Sequence, residues 1–281
     1  MKNIRNIQTL VLLSVLFFNN CSHQYDNDLI NSVKNKDVRS VEHSLEIGKD
    51  VNVRDKEGFT PLMLASGLGY KNIVELLLAK HADIHAKNKH GETALAIVSF
   101  KGHNRVAEIL IENKADVNTI NNDGVTPLMY SATYGFEKIV ALLLANKAKM
   151  ETVSKEGLTA LTYACLSDHY DIAEMLIKNK ANVNFKEFED ESILLLVAYH
   201  GNTKIAKLLI ENNADINIKD KNLDVPLMAA CRTRNYDMVK LFLSHKAEIN
   251  AMDENGDTPL VHAKRTGVRK IIELLLASGA K

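Results

Sequence analysis

Tryptophan is absent from the 281 residues, and proline, glycine and cysteine are scarce, at four, thirteen and three. Three cysteines cannot staple a disulfide-dense scaffold, so the core must come from packing. So few helix breakers in so long a chain point to helices. Net charge is missing as well: 35 basic and 35 acidic side chains cancel. That balance argues against a nucleic-acid binder, whose partner demands a basic face. The apolar run Leu10 to Phe18 falls short of the roughly 20 residues of a membrane-spanning helix. With 46% hydrophobic residues and no net charge, intrinsic disorder is excluded too.

The few breakers that are present keep a ruler. Pro61, Pro127, Pro226 and Pro259 are separated by 66, 99 and 33 residues. Gly58, Gly91, Gly124, Gly157 and Gly256 hold the same period, as do Gly69, Gly102, Gly135, Gly201 and Gly267. Leu62, Leu95, Leu128, Leu161, Leu194, Leu227 and Leu260 complete the register without a gap. The chain is therefore a repeat array. Within a unit, Gly58 permits a turn, Thr60 caps a helix, and Pro61 takes the first helical position, where no N–H bond is lost. Gly69 ends that short helix, and a second one carries Ile73, Val74, Leu76, Leu77 and Leu78. Neither helix is long enough to stand alone in water, so neighbouring units must stack to bury both.

Gly58-Phe59-Thr60-Pro61-Leu62, Gly124-Val125-Thr126-Pro127-Leu128 and Ala115-Asp116-Val117-Asn118 resemble the hallmark strings of the ankyrin repeat. The resemblance spans about residues 22–281. It implies an all-α repeat fold of period 33, an ankyrin-type solenoid of helix–turn–helix units with short β-hairpin fingers. A degenerate capping repeat at 22–54 precedes seven units, at 55–87, 88–120, 121–153, 154–186, 187–219, 220–252 and 253–281. The histidine that usually follows Pro-Leu in the family is replaced by Met63, Met129 and Met228. Asp190 and Ser192 depart from the pattern in the unit 187–219, and Leu223, Val225 and Arg234 in the unit 220–252. These departures mark the penultimate region as the expected weak joint of the stack.

Residues 1–20 read as a signal peptide. Lys2 and Arg5 precede the apolar run, and Cys21 follows it closely. That order resembles a bacterial lipoprotein signal, in which the cysteine thiol is acylated. It implies a chain lipid-anchored to a cell-envelope membrane. Ordinary cleavage nearby with secretion, or an uncleaved anchor, fits the same residues. Removal of residues 1–20 would leave 33 basic against 35 acidic side chains, with no basic stretch to hold a membrane, so attachment would rest on acyl chains.

Catalytic chemistry finds no constellation. Phosphate loop, dinucleotide fingerprint, nucleophile elbow and zincin motif are all missing, so the expected class is a non-enzyme without cofactor or metal. His81 and His85 lack further ligands, and Asp253, Asn255 and Asp257 imitate a calcium loop whose twelfth position is Lys264. Cys165 and Cys231 read as small buried side chains. What remains is a surface for a protein partner, with no nucleic acid and no small-molecule substrate. The resemblance places partner contacts on the concave side, built by finger tips and first-helix faces. The matching positions are Phe59, Val125, Leu158 and Phe188 in the fingers, and Leu68, Phe100, Lys101, Tyr134, Tyr199, His200 and Arg232 on the first helices. An exported effector acting on host proteins, or an accessory or inhibitor of a periplasmic enzyme, would use the same surface.

Overall fold

The computed structural model describes residues 28–186 and 191–281. Among them sixteen helices follow one another in pairs: α1 Asp28–Lys34 and α2 Val38–Glu46, α3 Pro61–Gly67 and α4 Lys71–Ala79, α5 Ala94–Lys101 and α6 Asn104–Glu112, α7 Pro127–Thr133 and α8 Glu137–Ala145. The order continues with α9 Ala160–Leu166 and α10 Tyr170–Lys178, α11 Ile193–His200 and α12 Thr203–Glu211, α13 Pro226–Arg232 and α14 Tyr236–Ser244, α15 Pro259–Thr266 and α16 Arg269–Ala277. None of these helices is long and apolar enough to cross a membrane.

Five of the first helices start on an extended residue whose side chain caps them. Thr60, Thr93, Thr126, Thr159 and Ser192 each accept the N–H three residues on. These helices are apolar almost all round because they are buried on most sides, as Ile193–Ala198 is. Second helices bury a single stripe, such as Ile139, Val140 and Leu143. First helices pack on first helices and second on second, and the first-helix row is the more closely packed. Closer spacing on one side bends the stack toward that side.

Hydrogen bonds repeat with the fold. Asn52, Asn118, Asn184, Asn217 and Asn250 each accept, through Oδ1, the backbone N–H found 31 positions on, at 2.8–2.9 Å. Glu151 substitutes for asparagine at its step, accepting from Asn182 N–H at 3.0 Å. Five fingers begin on a side chain that accepts two backbone N–H groups, as Asp55 does from Glu57 and Phe59. Fingers are joined edge to edge: Lys89 N–H donates to Glu57 O at 3.0 Å, and Asn122 N–H to His90 O at 2.9 Å. They are tight turns with little strand character. Among the described residues the isolated β-bridge is the antiparallel one between Lys186 and Ser192.

Gly135 shows why glycine sits between paired helices. Its φ is +78°, and an added Cβ would lie 2.5 Å from Cε1 of His169 in the next unit. That imidazole needs the space, since its Nε2 is 3.0 Å from Thr133 O. His103 repeats the arrangement one pair of units earlier, 3.0 Å from Gly67 O. Between paired helices the same backbone is taken without glycine by Lys36 at φ +58°, Asp168 at +62° and Arg234 at +60°, and at the finger-turn position by Leu223 at +61°. Left-handed backbone costs an L-residue about 1 kcal/mol. Asp168 is held by Asn202 Nδ2 at 2.6 Å and His200 Nε2 at 3.3 Å. Leu223 is 46% exposed.

The penultimate unit thus lacks glycine at both turn positions, Leu223 and Arg234, and Val225 caps α13 with no side-chain bond. The same unit supplies Arg232, which ties three units together.

Candidate binding face

The face along the first helices and fingers divides into two halves. In the first, Phe100 at the end of α5 packs edge-on against Tyr134, ring centroids 4.8 Å apart at 90°, and against Tyr130 at 5.7 Å. Tyr134 in turn stacks near Phe136, at 6.3 Å and 19°. Lys101 Nζ lies 4.8 Å from the centre of the Phe100 ring. Burial disfavours the charge of that lysine and lowers its pKa, although Glu92 opposes the shift. Tyr130 is fixed from below: its hydroxyl donates to Glu92 Oε1 at 3.0 Å and accepts from Asn121 Nδ2 at 2.9 Å. Burial, with Glu92 beside it, keeps that phenol protonated far above its usual range. Phe100, Lys101 and Tyr134 are each partly exposed over this base. Cations and aromatic rings in contact are the groups most often found at the centres of binding sites.

The second half is ionic. The Arg232 guanidinium makes a two-pronged pair with Asp224, through Nη1 to Oδ2 and through Nη2 to Oδ1 at 2.7 Å. Nη1 also donates to the Tyr199 hydroxyl at 2.7 Å, which donates to Asp224 Oδ2 at 2.8 Å. From the following unit, Asp253 Oδ2 lies 3.3 Å from Nη2 and 3.0 Å from His262 Nε2. Arg232 also reaches both ring nitrogens of His262, Nε lying 3.3 Å from Nδ1 and Nη2 3.1 Å from Nε2. Burial opposes the charge of Asp253, but the N–H groups of Asp257 and Asn255, with His262, outweigh it and hold its carboxyl below the ordinary value. Burial also works against Arg232, and Asp224 overrides it to raise the guanidinium pKa. Asp224, Asp253 and His262 bring three ligand-type atoms within 4.8 Å of one another. The guanidinium already supplies the positive charge at that point, so the trio works as a clamp on an arginine.

The sequence-derived surface residues separate on this geometry. Phe59, Leu68 and Val125 are half-buried near the finger and helix ends, and His200 is exposed. Leu158 is a correction: it is 8% exposed, because its side chain turns into the core while its N–H bonds Ser154 Oγ at 3.4 Å. Tyr199 and Arg232 are half-buried, with their polar atoms engaged by Asp224. Phe188 and Cys21 lie outside the described residues. Cys165 and Cys231 are both buried, and burial pushes the Cys231 thiol up to about 12.

The sequence reading met Asp253 and Asp257 only as an imitation of a calcium loop, and it passed over Asp224 and His262. One signal was available. Tyr130, Tyr163 and His262 share one repeat position, and each bonds the side chain nine residues earlier that starts its finger, Asn121, Ser154 or Asp253.

A family model described as Ankyrin repeats (3 copies) matches residues 29–121, 113–187 and 194–281. No curated protein matches the chain.

Proposed function

This chain belongs to the ankyrin-repeat family, and from that premise we propose a non-catalytic scaffold that binds a protein partner through its concave face while tethered to a bacterial envelope membrane. The observation that carries the binding reading is the aromatic group Phe100–Tyr134 with Lys101 against it. Rigid rings held in place by Tyr130 lose little freedom on docking. The polar half of the face, spent on internal bonds, positions the units instead of contacting the partner.

An affinity pull-down with wild type and a Phe100→Ala/Tyr134→Ala variant tests this reading. Both rings are partly exposed, so the fold should survive, with the partner depleted roughly tenfold or more from the variant eluate, as for loss of two anchor residues. Identical partner lists would remove the concave-face assignment.

The tether rests on Lys2, Arg5, the run Leu10–Phe18 and Cys21. Labelling cells with a palmitate analogue should mark the wild type and leave Cys21→Ser unmarked. Equal labelling of the two would end the lipid reading. Recovery of unlabelled wild type from the medium would favour the secreted effector.

A further inference from the structure

Asp253 Oδ2 has two claimants. It lies 3.0 Å from His262 Nε2, within its own unit, and 3.3 Å from Arg232 Nη2, which belongs to the unit before. The claimants also face each other, with Arg232 Nε 3.3 Å from Nδ1 and Nη2 3.1 Å from Nε2. A guanidinium only donates. A neutral imidazole keeps one nitrogen able to accept, whereas an imidazolium has two donors and no acceptor. The arrangement around Arg232 therefore suits the neutral ring alone. His262 and Asp253 are both buried, so a second cation pressed against the first is poorly screened.

The repeat position of His262 is filled differently elsewhere. Leu64, Ile97, Leu196 and Ala229 are apolar there, and Tyr130 and Tyr163 bring a hydroxyl to the start of their fingers. Only the unit 253–281 puts at this position a side chain of the type that ordinarily changes charge between about pH 5 and 8. An open recess of about 490 Å³ between the last two units is lined by Arg232, Asp253 and His262, which gives a proton from solvent a way in. Arg234, Asp257 and Arg265 line it too, the last two paired with each other. On the far side of Arg232 stand Asp224, Tyr199 and Asp220, whose carboxyl feels the guanidinium charge.

We propose that a proton on His262 operates the joint between the last two units. With the ring neutral, Arg232 and His262 share Asp253, and the guanidinium bridges the joint. With the ring protonated, the imidazolium takes Asp253 for its own unit. Its second N–H then faces the Nε–H of Arg232, and the guanidinium withdraws to Asp224 and Tyr199. Asp253 keeps a cation in either state, so each helix pair stays formed and only the tie across units is lost. Acid thus loosens 253–281 from 220–252. The inference stands apart from the partner-binding reading.

Hydrogen exchange of the full chain from about pH 8 to pH 5, read together with the ring signals of His262, tests this. Each exchange rate is divided by that of the unstructured peptide at the same pH. Protection of α15 and α16 should fall about tenfold more than that of α5 to α8, as for loss of one charge-assisted contact. The midpoint should coincide with the titration of the His262 ring. His262→Tyr supplies the hydroxyl used at Tyr130 and Tyr163, and His262→Gln supplies a smaller neutral amide. Whichever of them folds should keep its neutral-pH protection throughout. If neither folds, coincidence of the two midpoints in the wild type still decides. A ring that gains no proton before the chain unfolds, or a loosening with a different midpoint, would overturn the proposal. So would loosening retained in a neutral variant, which would pass the effect to Asp220, whose carboxyl burial pushes up. Loosening centred instead on the pair His200 and Asp168 would also end it.

Discussion

Replacing Arg232 with alanine should cost about 3 kcal/mol of unfolding free energy, measured by urea titration. The side chains of Asp224 and Asp253 are only 8% and 3% exposed, and the substitution leaves both without a neighbouring guanidinium. A buried carboxylate stripped of its cation costs more than the pair was worth, since desolvation remains while attraction is gone. Arg232 itself is 31% exposed, and solvent screening keeps the loss at the lower end of the range for broken buried pairs. Arg232→Lys should recover only part of it, because an ammonium cannot make the two-pronged contact with Asp224. A double variant, Arg232→Met with Asp224→Asn, should lose less than Arg232→Ala, as one orphaned charge is gone. The sign of the pH dependence is fixed as well. The folded carboxyl of Asp253 lies below its unfolded value, so its contribution is complete above about pH 5 and fades as pH falls through the carboxylate range. The gap between wild type and Arg232→Ala should therefore be widest near neutrality and narrow in acid. A gap independent of pH would show that packing and not charge sets the loss.

Phe242→Ala should be the most damaging single truncation, at about 4 kcal/mol. Phe242 is 0% exposed on α14 and heads the largest fully buried side chains. Leu77, Leu110, Leu143, Leu176, Leu209 and Leu275 hold the same repeat position elsewhere. A ring thus stands here where leucine suffices in six other units, and Ser44 holds the position in the first. Phe242→Leu should consequently cost only about 1 kcal/mol, with the neighbours closing on the smaller side chain. Hydrogen exchange would show where the alanine variant opens: loss of protection should centre on α13 and α14 and spread to the adjoining pairs before reaching α5 to α8. Uniform loss across all the helices would contradict that localisation.

How much of this was written in the sequence depends on whether a contact obeys the period. Helix pairs, caps and turn glycines did, because each unit solves the same stacking problem with the same residues. The aromatic group was legible for a related reason: Phe100 and Tyr134 are uncommon residues at positions that otherwise vary. The ionic clamp was not. Tyr199 and Arg232 keep the period of 33, but the clamp's other members sit 8, 21, 25 and 30 positions apart, and contacts at such offsets leave no mark on a ruler. Asp224 and Asp257 stand where Phe59, Val125 and Leu158 stand in other units, and Glu92 and Glu191 share that position, so the period mixes apolar and acidic residues there and does not tell which contact forms. Leu158 erred in the opposite direction. Its position matches surface residues, but with Ser154 starting its finger the side chain packs inward. The joint expected to be weakest carries real strain at Leu223 and Arg234, and its compensation by Arg232 depends on three units at once.

The asparagine and glutamate bonds that join successive units reach 31 positions forward. Load applied to the two ends would pass from unit to unit in series, like tension through a chain, each joint sharing it among these bonds, the helix packing and the finger contacts. Such an array gives elastically and then yields at its softest coupling, releasing one unit of 33 residues, about 100 Å of slack, while its neighbours stay folded. A scaffold tethered at one end and gripped by a partner at the other would act as a spring of limited force.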